Sequence, residues 1–157
     1  MENIFPNDTT ITLAGKPYRL RASIAALCAI EQHLNLPIHT LAEHTFTNAQ
    51  AVFILHAGID AAGYQPIHIT DDEPHLHEYA RAFIAGALQD KTELNWRGMF
   101  TTFTGIMNRP TAEFWNITLA EYSLIVEGFC LMHGLEPHRA LPPATSQDLA
   151  EMIRRFG

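Results

Sequence analysis

The chain has 157 residues, of which 47% are apolar and only 17% are charged, against roughly 25% charged residues in an ordinary soluble domain. This length suits one domain or two small ones, and the hydrophobicity excludes an intrinsically disordered chain. The formal net charge of −7 opposes nucleic acid as the main partner, because a duplex-binding protein needs a basic stripe to displace counterions.

The two cysteines, Cys28 and Cys130, lie far apart, each within an apolar helical pattern. We interpret them as reduced, small core side chains and not as a disulfide framework. The first residues carry no secretion signal, and no apolar run approaches the ~18 residues that a membrane-spanning helix needs. We therefore expect a cytoplasmic protein with no membrane partner.

The first predicted element is a β-hairpin. Ile11 and Leu13 alternate with polar residues, residues 14–16 supply a turn, and Tyr18 and Leu20 alternate again. Two strands alone are marginally stable, so we expect the hairpin to pack on the helices that follow.

Apolar residues at helical spacing predict about five to six helices after the hairpin. Ser23 caps the first helix, which Pro37 stops, and a short segment follows in residues 41–46. Asn48 caps the next helix, and Gly63 follows its end.

Two further helices are predicted after an acidic, proline-containing stretch. Asp72 caps a helix whose apolar stripe occupies residues 76–87. Thr92 opens the second helix, and Pro110 ends it.

The predicted fold class is therefore mainly α with a small β part (α+β), an N-terminal hairpin followed by packed helices. We expect a hairpin-and-helix subdomain in residues 1–66 and a helical subdomain in residues 67–134. A proline-rich linker and a short terminal helix, capped by Thr145 or Ser146, fill residues 135–157.

Histidine and acidic residues around residue 70 are the main candidates for chemistry. The metal-ligand types in this cluster are His68, Asp71, Asp72, Glu73, His75, His77 and Glu78. If a helix opens at residues 75–77, its two histidines point about 200° apart and cannot hold one ion. We prefer a solvated, pH-sensitive loop, and a small metal-dependent enzyme that uses this cluster is the alternative.

Other catalytic signals are weak. His56 lies on an apolar helix face, which favours a core or interface histidine over a general base. No basic neighbour or helix start would lower the pKa of Cys28 as a nucleophile requires. Phosphate-binding glycine loops and hydrolase motifs are absent from the sequence. We predict no catalysis, no cofactor and no metal.

Aromatic and capping residues follow one another in a distinctive order between residues 93 and 134. They are Trp96, Pro110, Phe114, Trp115, Thr118 and Glu121. Thr118 and Glu121 predict a capping box that opens a helix. The residues alone predict a two-helix core unit in which Phe114 and Trp115 plug the space between the helices.

This combination resembles the small tail assembly chaperone family of tailed phages and gene transfer agents. The family pattern is Trp, Pro, Phe-Trp and then Leu-Thr-Pro-x-Glu; this chain has Ile117 in place of the Leu and Leu119 where Pro is usual. More loosely, the first 64 residues resemble a neighbouring tail-chaperone family in Tyr18-Arg19-Leu20, Glu31, Leu41-Ala42-Glu43 and Ala57-Gly58.

The resemblance implies a non-catalytic protein that coats the tape measure protein in the host cytoplasm and leaves as the tail tube polymerises. It also implies contact with the tail tube protein in longer forms, and we expect self-association. A client-binding protein needs exposed apolar surface, for which we select Ile54, Leu124 and Leu131. Burial of these three inside the domain stays open, and a nucleic-acid-binding regulatory protein is a third interpretation that the acidic charge opposes.

Overall fold

The computed structural model describes residues 8–88 and 94–136. The predicted cap at Thr92 and the predicted terminal helix at Thr145 or Ser146 lie outside the described residues. Strands β1 (Asp8–Leu13) and β2 (Lys16–Arg21) pair antiparallel. Ala14 and Gly15 connect them with φ of 47° and 75°, the positive values that a tight type I′ hairpin turn requires. The predicted hairpin is confirmed.

Helix α1 (Ile24–Leu34) begins at Ser23, whose Oγ accepts a hydrogen bond from the backbone N–H of Ala26. Its end comes before Pro37, at Asn35, which adopts the left-handed conformation common just after helices. A 3₁₀ helix, Ile38–Glu43, follows directly. The predicted cap at Ser23 is confirmed.

Helix α2 (Asn48–Ala61) starts one residue earlier than the sequence indicates. Its cap is Thr47, which forms a capping box with Gln50, and not Asn48. The Asn48 side chain instead donates to the backbone carbonyl of Asp71, so it joins α2 to the acidic stretch. Gly63, with φ of 83°, follows the end of the helix as predicted.

Helix α3 (Leu76–Leu88) carries the predicted apolar stripe, but Asp72 does not cap it. Asp72 lies four residues before the helix, and a hydrogen bond from the Thr70 side chain lowers the pKa of this exposed carboxyl. The stripe is buried as expected, and its buried members are Leu76, Ala80, Phe83, Ile84, Ala87 and Leu88.

The predicted single helix before Pro110 is interrupted. Helix α4 (Trp96–Thr101), capped by Asn95, passes into a π-helical turn at Thr102–Ile106. The predicted connection also forms a short helix, α5 (Thr111–Asn116). Helix α6 (Leu119–Met132) is the last helix in the described part of the chain.

One continuous hydrophobic core contains residues from both predicted subdomains. Strand β2 packs on α2, and α2 packs in turn on α1 and α3. A Cβ added at Gly58 would lie 3.0 Å from the ring of Phe83, so this glycine lets α2 and α3 approach closely. The mainly α fold with an N-terminal hairpin is confirmed.

The start of α1 is joined to the start of α6. Ser23 and Thr118 form an isolated antiparallel β-bridge, and the Ile24 N–H donates to the Ile117 carbonyl at 2.8 Å. Across residues 8–88 and 94–136, no helix is long and apolar enough to cross a membrane.

Candidate functional site

The start of α6 is built from local and long-range hydrogen bonds. The Glu121 N–H donates to Thr118 Oγ1 at 3.2 Å, and the Thr118 N–H donates to Glu121 Oε2 at 2.6 Å, which confirms the predicted capping box. Arg21, at the end of β2, donates to both carboxylate oxygens of Glu121 at 2.9 and 2.7 Å. Both bonds come from one guanidinium nitrogen, Nη2, which also donates to the Asn116 carbonyl at 3.2 Å. This charge-assisted contact joins α6 to the hairpin.

The environment of Glu121 affects its protonation. Burial alone raises the pKa of this carboxyl, but hydrogen bonds from Arg21 and from the Thr118 backbone outweigh burial and hold the pKa below its ordinary value. Glu121 is therefore ionised at neutral pH and stays paired with Arg21. The sequence motif contains Glu121 but gives no sign of Arg21, which lies 100 residues away.

Helix α6 is apolar on two opposite sides. Its buried side, which faces the core, holds Leu119, Tyr122, Val126 and Cys130. With about 100° of rotation per residue, positions 124, 128 and 131 lie on the opposite side. There Leu124 is 56% exposed, Leu131 63% and Met132, at the edge of this side, 79%. We call Leu124, Gly128, Leu131 and Met132 the outer face of α6.

The three residues selected for client binding do not lie together. Leu124 and Leu131 share the outer face, but Ile54 is fully buried, so its assignment to an exposed surface is wrong. Helix α2 is packed by α1, α3 and β2, which leaves no solvent on the side where Ile54 lies. Met132 belongs to the exposed face instead, and its position eight residues after Leu124, which brings it to a neighbouring part of the same helix side, could have identified it.

The aromatic motif divides between core and surface. Phe114 is fully buried, whereas Trp115 is 38% exposed and lies against Phe100 with ring centroids 5.7 Å apart. Adjacent residues on a helix point about 100° apart, so only one of the pair faces the core. Phe114 is the plug, and the same role for Trp115 is wrong.

The remaining motif residues, Trp96 and Pro110, lie at the starts of α4 and α5. The indole N–H of Trp96 donates to Glu31 Oε2 at 3.2 Å, and the same oxygen accepts from the Ile38 backbone N–H at 2.9 Å. Trp96 thus ties α4 to the end of α1. Pro110 is the residue before α5 and adopts φ of −60°, the value that its ring imposes.

The histidines of the acidic stretch face different partners. His75 Nδ1 lies 2.9 Å from Glu78 Oε2, and His77 Nε2 lies 2.8 Å from Asn48 Oδ1. His68 is exposed. In the parts of the chain that the structure describes, no three His, Cys, Asp or Glu side chains converge on a common metal position.

The other candidates for chemistry lie near the first two helices. Burial and the nearby charge of Glu31 raise the pKa of Cys28 to about 11, so this thiol is protonated at neutral pH. His56 is exposed, so of the two predicted positions, core or interface, the core is wrong and the interface stays a prediction. His56 lines an open, mainly apolar cavity of about 340 Å³ together with Phe53 and Tyr64.

With this geometry in place, the chain was compared with protein-family models, with curated proteins and with solved structures, and none of the three comparisons finds a match.

Proposed function

We propose that this chain is a tail assembly chaperone-like protein of a phage or prophage, which binds the tape measure protein in the host cytoplasm and keeps it soluble without catalysis. The observation that carries the proposal is the outer face of α6. Its exposed leucines and methionine lie on the side of the helix opposite the core, where the fold itself does not use them. The ordered motif from Trp96 to Glu121 supports the same function by resemblance.

The outer face suits an apolar helical client. Complete burial of one leucine or methionine side chain is worth about 1.5–3 kcal/mol, so Leu124, Leu131 and Met132 together supply a useful part of a binding energy. Gly128 lies between them, and apart from its chain neighbours and the backbone of its own helix no described atom lies within 4 Å of a Cβ built on it. A client helix can therefore approach the α6 backbone closely at this point.

The charge of the chain fits the same role. A protein that covers an insoluble client needs a surface that repels other copies of the complex. The net charge of −7 supplies this repulsion. Contact with the tail tube protein and self-association belong to the proposal through the resemblance, and the outer face is one surface that either contact could use.

The decisive experiment is co-expression. A long, apolar, helix-rich tape measure protein from the same genome is expressed alone, with this chain, and with the double variant Leu124→Ser/Leu131→Ser. We expect the native chain to raise the soluble fraction of the client and to co-purify with it, and the double variant to do neither.

The matched control is Ala82→Ser/Ala85→Ser, which places two serines at exposed positions of α3. This control should behave as the native chain does. A client that remains insoluble with the native chain contradicts the proposed function. Equal rescue by the native chain and the Leu124→Ser/Leu131→Ser variant contradicts the assignment of the function to the outer face of α6.

A further inference from the structure

The open cavity beside His56 lies on the solvent side of α2. Helix α1 contributes one wall, α2 contributes the second, and the segment 64–67 contributes the third. The turn after α2 brings this segment back to the helix, because the Gly63 N–H donates to the Asp60 carbonyl at 2.9 Å. The Tyr64 N–H likewise donates to a carbonyl of α2 at 3.3 Å. Backbone hydrogen bonds therefore fix the third wall.

Two aromatic side chains line the cavity, and each is held by another ring. The Phe53 ring stacks on His33 with the ring centroids 3.7 Å apart and an interplanar angle of 9°. The Tyr64 ring meets Tyr18 of β2 edge to face, with the centroids 5.7 Å apart. These contacts restrict both rings before a ligand arrives. A ligand that packs on them therefore loses little free energy in ordering them.

Asp60 gives this mainly apolar cavity a carboxylate. Within residues 8–88 and 94–136, no side chain forms a hydrogen bond or an ion pair with that carboxylate. Asp60 also lies in the last turn of α2, which contains no basic residue. The carbonyl groups at the end of a helix carry partial negative charge, so a cation is favourable there and an acid is not. The described fold thus places negative charge at the cavity without a cation to balance it.

His56 is the second polar group of the cavity. It precedes Asp60 by one helical turn, so the two exposed side chains lie on the same side of α2. The His56 ring forms no hydrogen bond with any residue that the structure describes. An apolar cavity with a few converging polar groups is the usual form of a binding site. Here those groups are a carboxylate and an imidazole that the described fold does not use.

We propose that this cavity binds an arginine side chain of a protein partner. The guanidinium pairs with the Asp60 carboxylate, and the rest of the side chain packs against Phe53 and Tyr64. Arginine suits these groups because its planar guanidinium stacks on aromatic rings and donates to a carboxylate through a fork of N–H groups. Lysine carries the same charge, but its ammonium is strongly hydrated and has no plane to stack.

The open mouth of the cavity favours a side chain over a free small molecule. Sites for small ligands bury about 70–90% of the ligand surface. A cavity of about 340 Å³ that is open to solvent leaves one side of a free ligand in water. A side chain, in contrast, arrives with its own polypeptide, which covers the mouth. The site lies on α2 and not on the outer face of α6, and it does not rest on the proposed function.

Titration of the full-length, isotope-labelled chain with short peptides, followed by NMR, tests the proposal. The probe is an alanine peptide with one central arginine and blocked ends. The matched peptide carries citrulline, in which a neutral urea group of almost the same shape replaces the guanidinium. We expect the arginine peptide to shift the amide signals of residues 53–67 with a millimolar Kd. The citrulline peptide should bind at least about fivefold more weakly, because it cannot form the charge-assisted hydrogen bonds.

Two variants locate the charge that the peptide recognises. Asp60→Asn removes the carboxylate with little change of shape, and it should lower the affinity for the arginine peptide to that for the citrulline peptide. Its thermal stability should not fall, because an acid in the last turn of a helix is unfavourable. Glu127→Gln is the matched control, since it neutralises an exposed carboxylate on α6, outside the cavity. This control should bind the arginine peptide as the native chain does.

Three outcomes overturn the proposal. Equal binding of the two peptides by the native chain means that the cavity does not recognise a guanidinium. Equal losses in Asp60→Asn and Glu127→Gln mean that the peptide responds only to the net charge. Binding of butylguanidinium, which is the arginine side chain without its polypeptide, as tightly as the peptide assigns the cavity to small organic cations. The co-expression experiment concerns the outer face of α6, so the two proposals fail separately.

Discussion

Helices α3 and α6 have nearly the same length but opposite surfaces. Both bury one side in the common core. The solvent side of α3 carries His77, Glu78 and Arg81, whereas that of α6 carries Leu124 and Leu131. A polar exterior is sufficient for folding, as α3 demonstrates. The difference teaches that a helix of this fold can do without an apolar solvent side, and the proposed function starts from the apolar solvent side that α6 has.

The largest loss of stability is expected from a substitution in the core beneath α3. Phe83 is almost fully buried, beside Gly58 on α2. Changing Phe83→Ala should lower the free energy of unfolding by about 3–5 kcal/mol, because it leaves a cavity between packed helices. Met132→Ala, on the exposed side of α6, is the matched control and should change it little. Urea denaturation measures both, and equal losses would remove the contrast between the two helices.

The second-largest loss of stability is expected from breaking the Arg21–Glu121 pair, which anchors α6 to the hairpin. Glu121→Gln should cost about 1–3 kcal/mol, because it leaves the half-buried Arg21 guanidinium without its charged partner. Glu113→Gln removes a more exposed pair with Arg109, and it should cost less than about 1 kcal/mol. Similar losses in the two variants would mean that Arg21 and Glu121 do not anchor the helix.

The pH dependence of this anchor has a definite sign. The folded chain holds the pKa of Glu121 below its ordinary value of 4.5. The contribution of the pair to stability is therefore complete at neutral pH, and it declines as the pH falls below 4.5 and through the folded-state pKa. Glu121→Gln should remove this part of the acid sensitivity, as measured by thermal unfolding between neutral and acidic pH.

A smaller loss is expected from the helix cap itself. Thr118→Ala removes the hydroxyl that accepts from the Glu121 N–H, and a lost N-cap typically costs about 1 kcal/mol. Thr118→Ser keeps the acceptor and should restore most of the loss. If serine is as destabilising as alanine in chemical denaturation, the hydroxyl is not what Thr118 contributes.

The smallest effect on stability is expected on the outer face. Leu124→Ser/Leu131→Ser should change the free energy of unfolding by no more than about 0.5 kcal/mol for each of the two substitutions, as surface substitutions usually do. The same variant should lose client binding. A strong destabilisation would show that these leucines hold the fold together, and the contrast with α3 would then disappear.

The sequence predicted the features that depend only on residues close together in the chain, namely helix caps and the hairpin turn. The caps at Ser23 and Thr118 involve residues within one helical turn, so the sequence reveals them directly. The hairpin turn is equally local. The cap of α2 was misplaced because Thr47 and Asn48 are adjacent and both suit the position. The π-helical turn after α4 has no distinct sequence signal, because its residues also fit an α-helical pattern.

The surface was harder to predict than the helices. Helical spacing shows which side chains share a face, but it does not show how many faces have neighbours. By helical spacing, Ile54 lies opposite the predicted apolar stripe of α2, which is formed by Val52, Leu55 and Ile59, and Leu124 lies opposite the buried side of α6. Helix α2 is packed on several sides and buries Ile54, whereas α6 leaves Leu124 in solvent. Only the tertiary arrangement distinguishes these two residues, and it equally determines that Arg21 meets Glu121.

The bridge between Ser23 and Thr118 has a consequence for how the chain can be divided. The first residue of α1 completes its hydrogen bonding with a carbonyl supplied from residue 117, and the last described helix is anchored by the hairpin. A polypeptide cut between residues 66 and 67 would thus produce two pieces that each lack a partner the other holds. We expect such pieces to fold well only when mixed, as complementing fragments, even though the cut follows the predicted boundary between subdomains.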